Sequence, residues 1–313
     1  MDKRRVVFLL LKFAIQDFIE DREFKNLTQK TISGYSATLK EFQEFISEQE
    51  VVNANDVTQS HIKSYLLHCK KNKNNNPTSI NHKLHNLKIF FNYLQDIEVI
   101  SEKQNPAKKI NYVKEDIKIE VFNDYQIKQM LDYYRRIKRR EKGFYAYRNY
   151  TIIVFLLGTG SRLGELINLR WDDIDFINNT IVFYGKKREY SSIPMTEKLK
   201  KELMEYKTYC EQTFESLSEY VFTNRKNEKL TDNAVKCIFK RLKKVMNFKN
   251  VRVSCHTFRH TFAVNMIKNN CDIFTLQKML RHKDLSMCRR YVNFGTALKE
   301  QNDKFNPLNE IDV

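Results

Sequence analysis

Seven glycines and four prolines are all that 313 residues offer to interrupt a helix. So few breakers argue for a mainly helical chain, with strands admitted only where side chains alternate. Apolar residues recur at helical spacing over 8–22. Thr28 begins a second expected helix that runs to Glu48, with Tyr35, Leu39, Phe42 and Phe45 on one stripe and Ile46 beside it. Thr58 suits an N-cap for a third helix carrying Ile62, Tyr65 and Leu66, and Pro77 opens a fourth with Ile80, Leu84, Leu87, Phe91 and Leu94. Between these two, 70–76 is basic and asparagine-rich, which puts Lys70 and Lys71 among the candidates for contact with a polyanion.

Residues 101–118 are charged, contain Pro106 and show neither period. They are expected to link a helical domain over 1–100 to a second domain over 119–294, with a polar tail over 295–313. Extended chain covers about 3.3 Å per residue, so such a linker can set two domains on opposite sides of a ligand. In the second domain Asp124 is expected to cap a helix with a very basic end, including Arg135 and Arg136. Residues 147–157 are apolar nearly all round, as in a buried helix. Residues 174–195 alternate and break at 184–190, as in a hairpin, and helices are expected over 197–214, 231–245, 256–268, 272–280 and 284–292. The expected fold is therefore mainly α, a helical domain followed by a mixed α/β domain with a small antiparallel sheet.

The formal charge of +17 calls for a polyanionic partner, nucleic acid first and an acidic membrane surface second. No apolar run approaches the roughly 20 residues that span a bilayer. The apolar stretch at 6–11 is short for a secretion signal and no small-residue cleavage site follows it, so a cytoplasmic protein without a membrane partner is expected. Six cysteines form no CxxC pair and read as reduced and mostly buried. His256 and His260 stand four apart, but Thr257 occupies the place of the glutamate in a helical zinc motif, so no metal is expected.

One constellation carries chemistry. Thr159-Gly160-Ser161-Arg162-Leu163-Gly164-Glu165-Leu166 is followed by Gly185-Lys186-Lys187-Arg188, then His256-Thr257-Phe258-Arg259-His260, Leu280-Arg281-His282 and, nine residues on, Tyr291. Two arginines can each grip nonbridging phosphate oxygens through paired N–H donors. Histidines can donate hydrogen bonds or move protons, and a lysine can protonate a leaving oxygen. Holding a free tyrosine ionised at pH 7 costs about 4 kcal/mol, so a lone phenol is a poor nucleophile. Beside a phosphate already held by two guanidiniums it can lose its proton during attack, and a preorganised donor is worth ~3 kcal/mol to the transition state.

These segments resemble the signature of the tyrosine recombinase family, the phage integrase and Xer-type enzymes. The resemblance covers about 122–294 and extends more weakly to the helical first domain, which is similar to the family's SAM-like core-binding domain. It implies Arg162, Lys186 (with Lys187 as the alternative in the double lysine), His256, Arg259 and His282 as the activating set, Tyr291 as nucleophile and Glu165 in support. It also implies a 3′-phosphotyrosyl intermediate with release of a 5′-hydroxyl. The ester conserves bond energy, so neither ATP nor another cofactor is implied. The expected partner is double-stranded DNA with inverted-repeat core sites, enclosed by the two domains as a C-shaped clamp. Four protomers are expected to assemble there by exchange of the tail, with Phe305 and Leu308 as anchors. Arg281 stands where the family usually has glycine. It reads either as altering the turn or, with Lys187 and Arg188, as a further charge near DNA.

Each segment alone has an ordinary reading. Arg162 and Glu165 at i, i+3 are commonly a surface pair. Lys186 is by default a solvated turn residue, and His260 reads as structural. Tyr291 is one of 16 tyrosines, selected only by its distance from His282. The basic runs at 135–142 and 240–244 are usually solvated faces. It is the joint order that points to an active recombinase, whether an integrase, a dimer resolvase or the enzyme of a mobile element. A silent DNA-binding regulator with the same fold and a type IB topoisomerase remain alternatives.

Overall fold

The computed structural model describes residues 9–115, 118–184 and 190–292, and it divides into two compact units, Met1–Ile117 and Lys118–Val313. The first unit is built on α1 (Leu11–Phe24), α2 (Gln29–Ser47), α3 (Gln59–Lys71) and α4 (Pro77–Asp96). The breaks lie where local chemistry puts them. The Thr28 hydroxyl accepts the Thr31 backbone N–H, Thr58 accepts that of His61, and the Asn76 side chain accepts that of Ser79 at 2.8 Å just before Pro77. The stripes meet in an aromatic core in which Phe18, Phe42, Tyr65, Phe90 and Phe91 are fully buried. Their rings meet edge to face, as in Phe18–Phe90 at 5.5 Å and 86°.

The segment read as a linker is packed over much of its length. Ala107 and Ile110 join the core of the first unit, and the Asn81 side chain bonds both the backbone N–H and the carbonyl of Val113 at 2.8 Å. Irregular backbone held by side-chain hydrogen bonds leaves no period to read.

The second unit begins with α5 (Asp124–Glu141), whose cap is Asn123 and not Asp124, because the Asn123 side chain accepts the Gln126 N–H at 2.8 Å. Next come α6 (Phe144–Thr159) and a short α7 (Leu163–Asn168). A three-stranded antiparallel sheet follows, of β1 (Ile174–Asp175), β2 (Thr180–Tyr184) and β3 (Tyr190–Pro194), in that spatial order. Ile181 pairs with both Ile174 and Ile193, and all three side chains are buried on one face. The remaining helices are α8 (Glu197–Thr213), α9 (Asp232–Met246), α10 (Cys255–Lys268), α11 (Ile273–Leu280) and α12 (Ser286–Val292).

Helix α6 lies at the centre, packed against α5, α8 and α10, which is why it is apolar on nearly every side. It ends at Gly160 in the left-handed region, at φ 56°. A Cβ there would lie 2.6 Å from the ring of Phe262 on α10, so both backbone angle and space require glycine.

Candidate active site

The close approach of α6 to α10 delivers the first guanidinium. Arg259 on α10 is 4% exposed, and its Nη1 donates to the Gly160 carbonyl at 2.7 Å. Its Nη2 donates to the carbonyl of Leu280, the last residue of α11. Burial, reinforced by the charge of Arg162, lowers its pKa to about 9, so it stays charged at pH 7. Arg162 stands at the start of α7 with its side chain 41% exposed. Its Nη1 donates to Glu165 at 2.6 Å and its Nη2 to the Arg281 carbonyl at 3.1 Å. Thus two adjacent carbonyls at the end of α11 orient two different guanidiniums.

Glu165 is the hub beneath them. Its Oε2 accepts the Arg162 backbone N–H at 2.8 Å and the Arg281 guanidinium at 2.7 Å. Burial pushes its pKa up, yet Arg281 and Arg162 hold it at about 2, so it is ionised. Arg281, read from the sequence either as altering the turn or as a charge near DNA, points inward. Its side chain is 5% exposed, pairs with Glu165 and lies over the Phe183 ring at 4.2 Å. A buried carboxylate draws the guanidinium inward, where desolvation lowers the arginine's pKa and Glu165 supports it.

Tyr291, on α12, is 2% exposed and packed with the α10 and α11 side chains Phe262, Leu276 and Leu280. Its phenol oxygen lies 2.8 Å from His260 Nδ1, and the His260 ring lies edge-on to His256 at 4.2 Å. Burial raises the phenol pKa while Arg259 and Arg290 pull it back, so the hydroxyl is protonated at rest. His282 is buried, with Nδ1 3.1 Å from the Cys288 Sγ. Burial and then the surrounding charges lower His260 to about 4 and His282 to about 3; for His282 the foremost of these charges are Arg259 and Arg162. His256 is lowered by the same causes, desolvation first. At neutral pH these histidines can therefore act as neutral donors and acceptors.

These shifts fix a pH dependence. In the unfolded chain a histidine titrates near 6.5, so between about 6.5 and the folded values the unfolded form binds protons that the folded form refuses. The stability they contribute is full above about 6.5 and drains away as pH falls toward 4 for His260 and 3 for His282. Melting temperature is expected to fall steadily from about pH 7 to about pH 4, and less steeply in His282→Gln. A melting temperature flat across that range would contradict it.

The structure brings together Arg162, Glu165, Arg259, Arg281, His282 and the pair His260–Tyr291. Lys70 and Lys71 are exposed on the last turn of α3, and Arg136 is exposed on α5. Arg135 is half-buried, bonded to the Tyr150 hydroxyl and Asp132. Lys186, Lys187 and Arg188 lie outside the described residues, as does the tail at 295–313 with Phe305 and Leu308. Sequence reasoning treated His260 as structural and did not single out Cys288. The i, i+4 spacing of His256 and His260 signalled a shared helix face, but no local pattern signals a contact spanning 31 residues.

A family model described as "Phage integrase family" matches residues 120–296, and one described as "Phage integrase, N-terminal SAM-like domain" matches 15–101. The chain belongs to the phage integrase family, the tyrosine site-specific recombinases. Among its curated relatives, a "Tyrosine recombinase" of Pseudothermotoga lettingae is 28% identical, covering 92% of this chain and 93% of that one. A "Tyrosine recombinase XerC" of Leptospira interrogans is 26% identical, over 90% and 89%. Two solved structures share the fold. The Tn1549 transposon integrase in complex with a circular intermediate DNA has a TM-score of 0.76 at 19% identity, covering 96% of this chain and 99% of that chain. XerH bound to a palindromic difH substrate gives 0.72 at 18%, covering 95% and 84%. Among the described residues no helix is long and apolar enough to cross a membrane.

Proposed function

We propose that this recombinase cuts DNA with Tyr291 at a phosphate gripped by Arg162 and Arg259. The phenol oxygen bonds to phosphorus, the phosphorus–O5′ bond breaks, and the phenol's proton passes to solvent. The 5′ oxygen takes up a proton, for which Lys186 is the donor in this reading. His256 and His282, neutral at working pH, hydrogen-bond the phosphate oxygens, and Glu165 holds Arg162. Strand joining is the same step reversed, with a 5′-hydroxyl as nucleophile. The observation that carries the reading is the convergence of both guanidiniums on the end of α11, the carbonyls of residues 280 and 281.

A suicide substrate, nicked so that the released fragment diffuses away, tests this. The protein is expected to be trapped on a 3′ phosphate, leaving a 5′-hydroxyl that a polynucleotide kinase can label. A protein-linked 5′ end, or strong binding without cleavage over many sites, would refute it.

In the same reading the partner is double-stranded DNA with inverted-repeat core sites, met in the cytoplasm by four protomers that exchange the tail at 295–313. Binding should weaken steeply with salt. If about 8 phosphates are neutralised, log K falls with log salt at a slope near −7. Affinity measured between about 50 and 200 mM salt checks this, and a flat response would contradict charge-led binding.

A further inference from the structure

We infer that Arg281 is a positioning residue for cleavage: it neutralises Glu165 and anchors the turn whose carbonyls aim Arg162 and Arg259. This rests on the reading that those two arginines hold the phosphate.

The backbone at Arg281 is left-handed, φ 53° and ψ 44°, a conformation most side chains resist. Its side chain compensates. Nη2 meets Glu165 at 2.7 Å, Nη1 donates to the Met279 carbonyl at 2.7 Å, and the guanidinium covers Phe183 on β2. The turn is thereby fastened to α7 and to the sheet. From it the Leu280 carbonyl accepts from Arg259 and the Arg281 carbonyl from Arg162.

Charge gives the second half of the argument. Glu165 is 9% exposed and lies directly against Arg162. A buried carboxylate paired with Arg162 alone would cancel the charge that a phosphate needs. Two guanidiniums on the carboxylate and Arg259 beyond them leave a net two positive charges in the site; removing Arg281 would leave one. The carboxylate can then orient Arg162 while Arg281 supplies its neutralising partner. A glycine at this position would ease the turn and supply no charge.

The test separates turn from charge. Arg281→Gly keeps the left-handed backbone and removes the guanidinium. Single-turnover cleavage of a suicide substrate at saturating full-length protein is measured beside DNA affinity and thermal melting. Arg281→Gly is expected to bind DNA within about threefold of wild type and to cleave about 10- to 100-fold more slowly, the scale of a misplaced catalytic group. Adding Glu165→Gln to Arg281→Gly is expected to restore part of the rate, because the unpaired charge is then gone. Arg281→Lys, which keeps a charge, is expected to cleave faster than Arg281→Gly. Wild-type cleavage in folded Arg281→Gly, or a double variant no faster than the single, would overturn the proposal. Should Arg281→Gly fail to fold, Arg281→Lys decides: its DNA binding should hold while cleavage falls by less than about tenfold, and a larger loss overturns the charge argument. An adduct that persists in Tyr291→Phe would instead refute the underlying reading, whatever Arg281 does.

Discussion

Tyr291→Phe is expected to bind its DNA site as wild type does and never to become covalently joined to it. The substitution removes one oxygen, the atom that would form the ester. The ring is 2% exposed and packed among α10 and α11 side chains, and phenylalanine keeps that packing. With the oxygen goes its 2.8 Å hydrogen bond to His260, worth about 1 kcal/mol net. Melting should therefore shift by only a few degrees, while protein–DNA adducts resistant to detergent disappear. An adduct in the variant would mean that another residue attacks.

Arg259→Ala should show the second large effect, on two readouts at once. Removing the guanidinium takes donors from the Gly160 and Leu280 carbonyls inside the second unit. Each orphaned buried group costs about 1–3 kcal/mol, so for the two a loss of roughly 2–6 kcal/mol is expected on unfolding. Cleavage at saturating DNA should fall by at least about 10³-fold, since losing one preorganised donor already costs about 10²- to 10³-fold. Arg162→Ala is the comparison. That side chain is 41% exposed, so its removal should slow cleavage strongly with a smaller loss of stability. Equal stability losses in the two variants would show that burial does not separate their roles.

The mainly helical class with a small sheet was legible because its signals are local. Thr28 and Thr58 mark helix starts through bonds that span three residues, Pro77 marks one by its fixed backbone angle, and alternation around Ile181 and Phe183 reports a sheet with one buried face. Helix α7 escaped notice since six residues hold less than two turns of pattern. Asn123 took the capping role expected of Asp124, two neighbours of nearly equal aptitude. Ala107 and Ile110 disappear into a core without any repeat to announce them. At the site, residue types and order pointed to a phosphate, but direction was not legible. Whether Arg281 faces outward or inward depends on Glu165, 116 positions earlier, and the partner of Tyr291 is fixed by the packing of α12 on α10.

The glycine at the end of α6 has a consequence larger than its size. Phe262 rests against the space where a side chain would begin, and the same helix carries His256, Arg259 and His260. Any side chain at 160 would therefore press on Phe262, on the helix that carries two of the six groups assigned to the reaction, His256 and Arg259. The protein's tolerance for error in aligning its charges is set by an atom that takes no part in the chemistry.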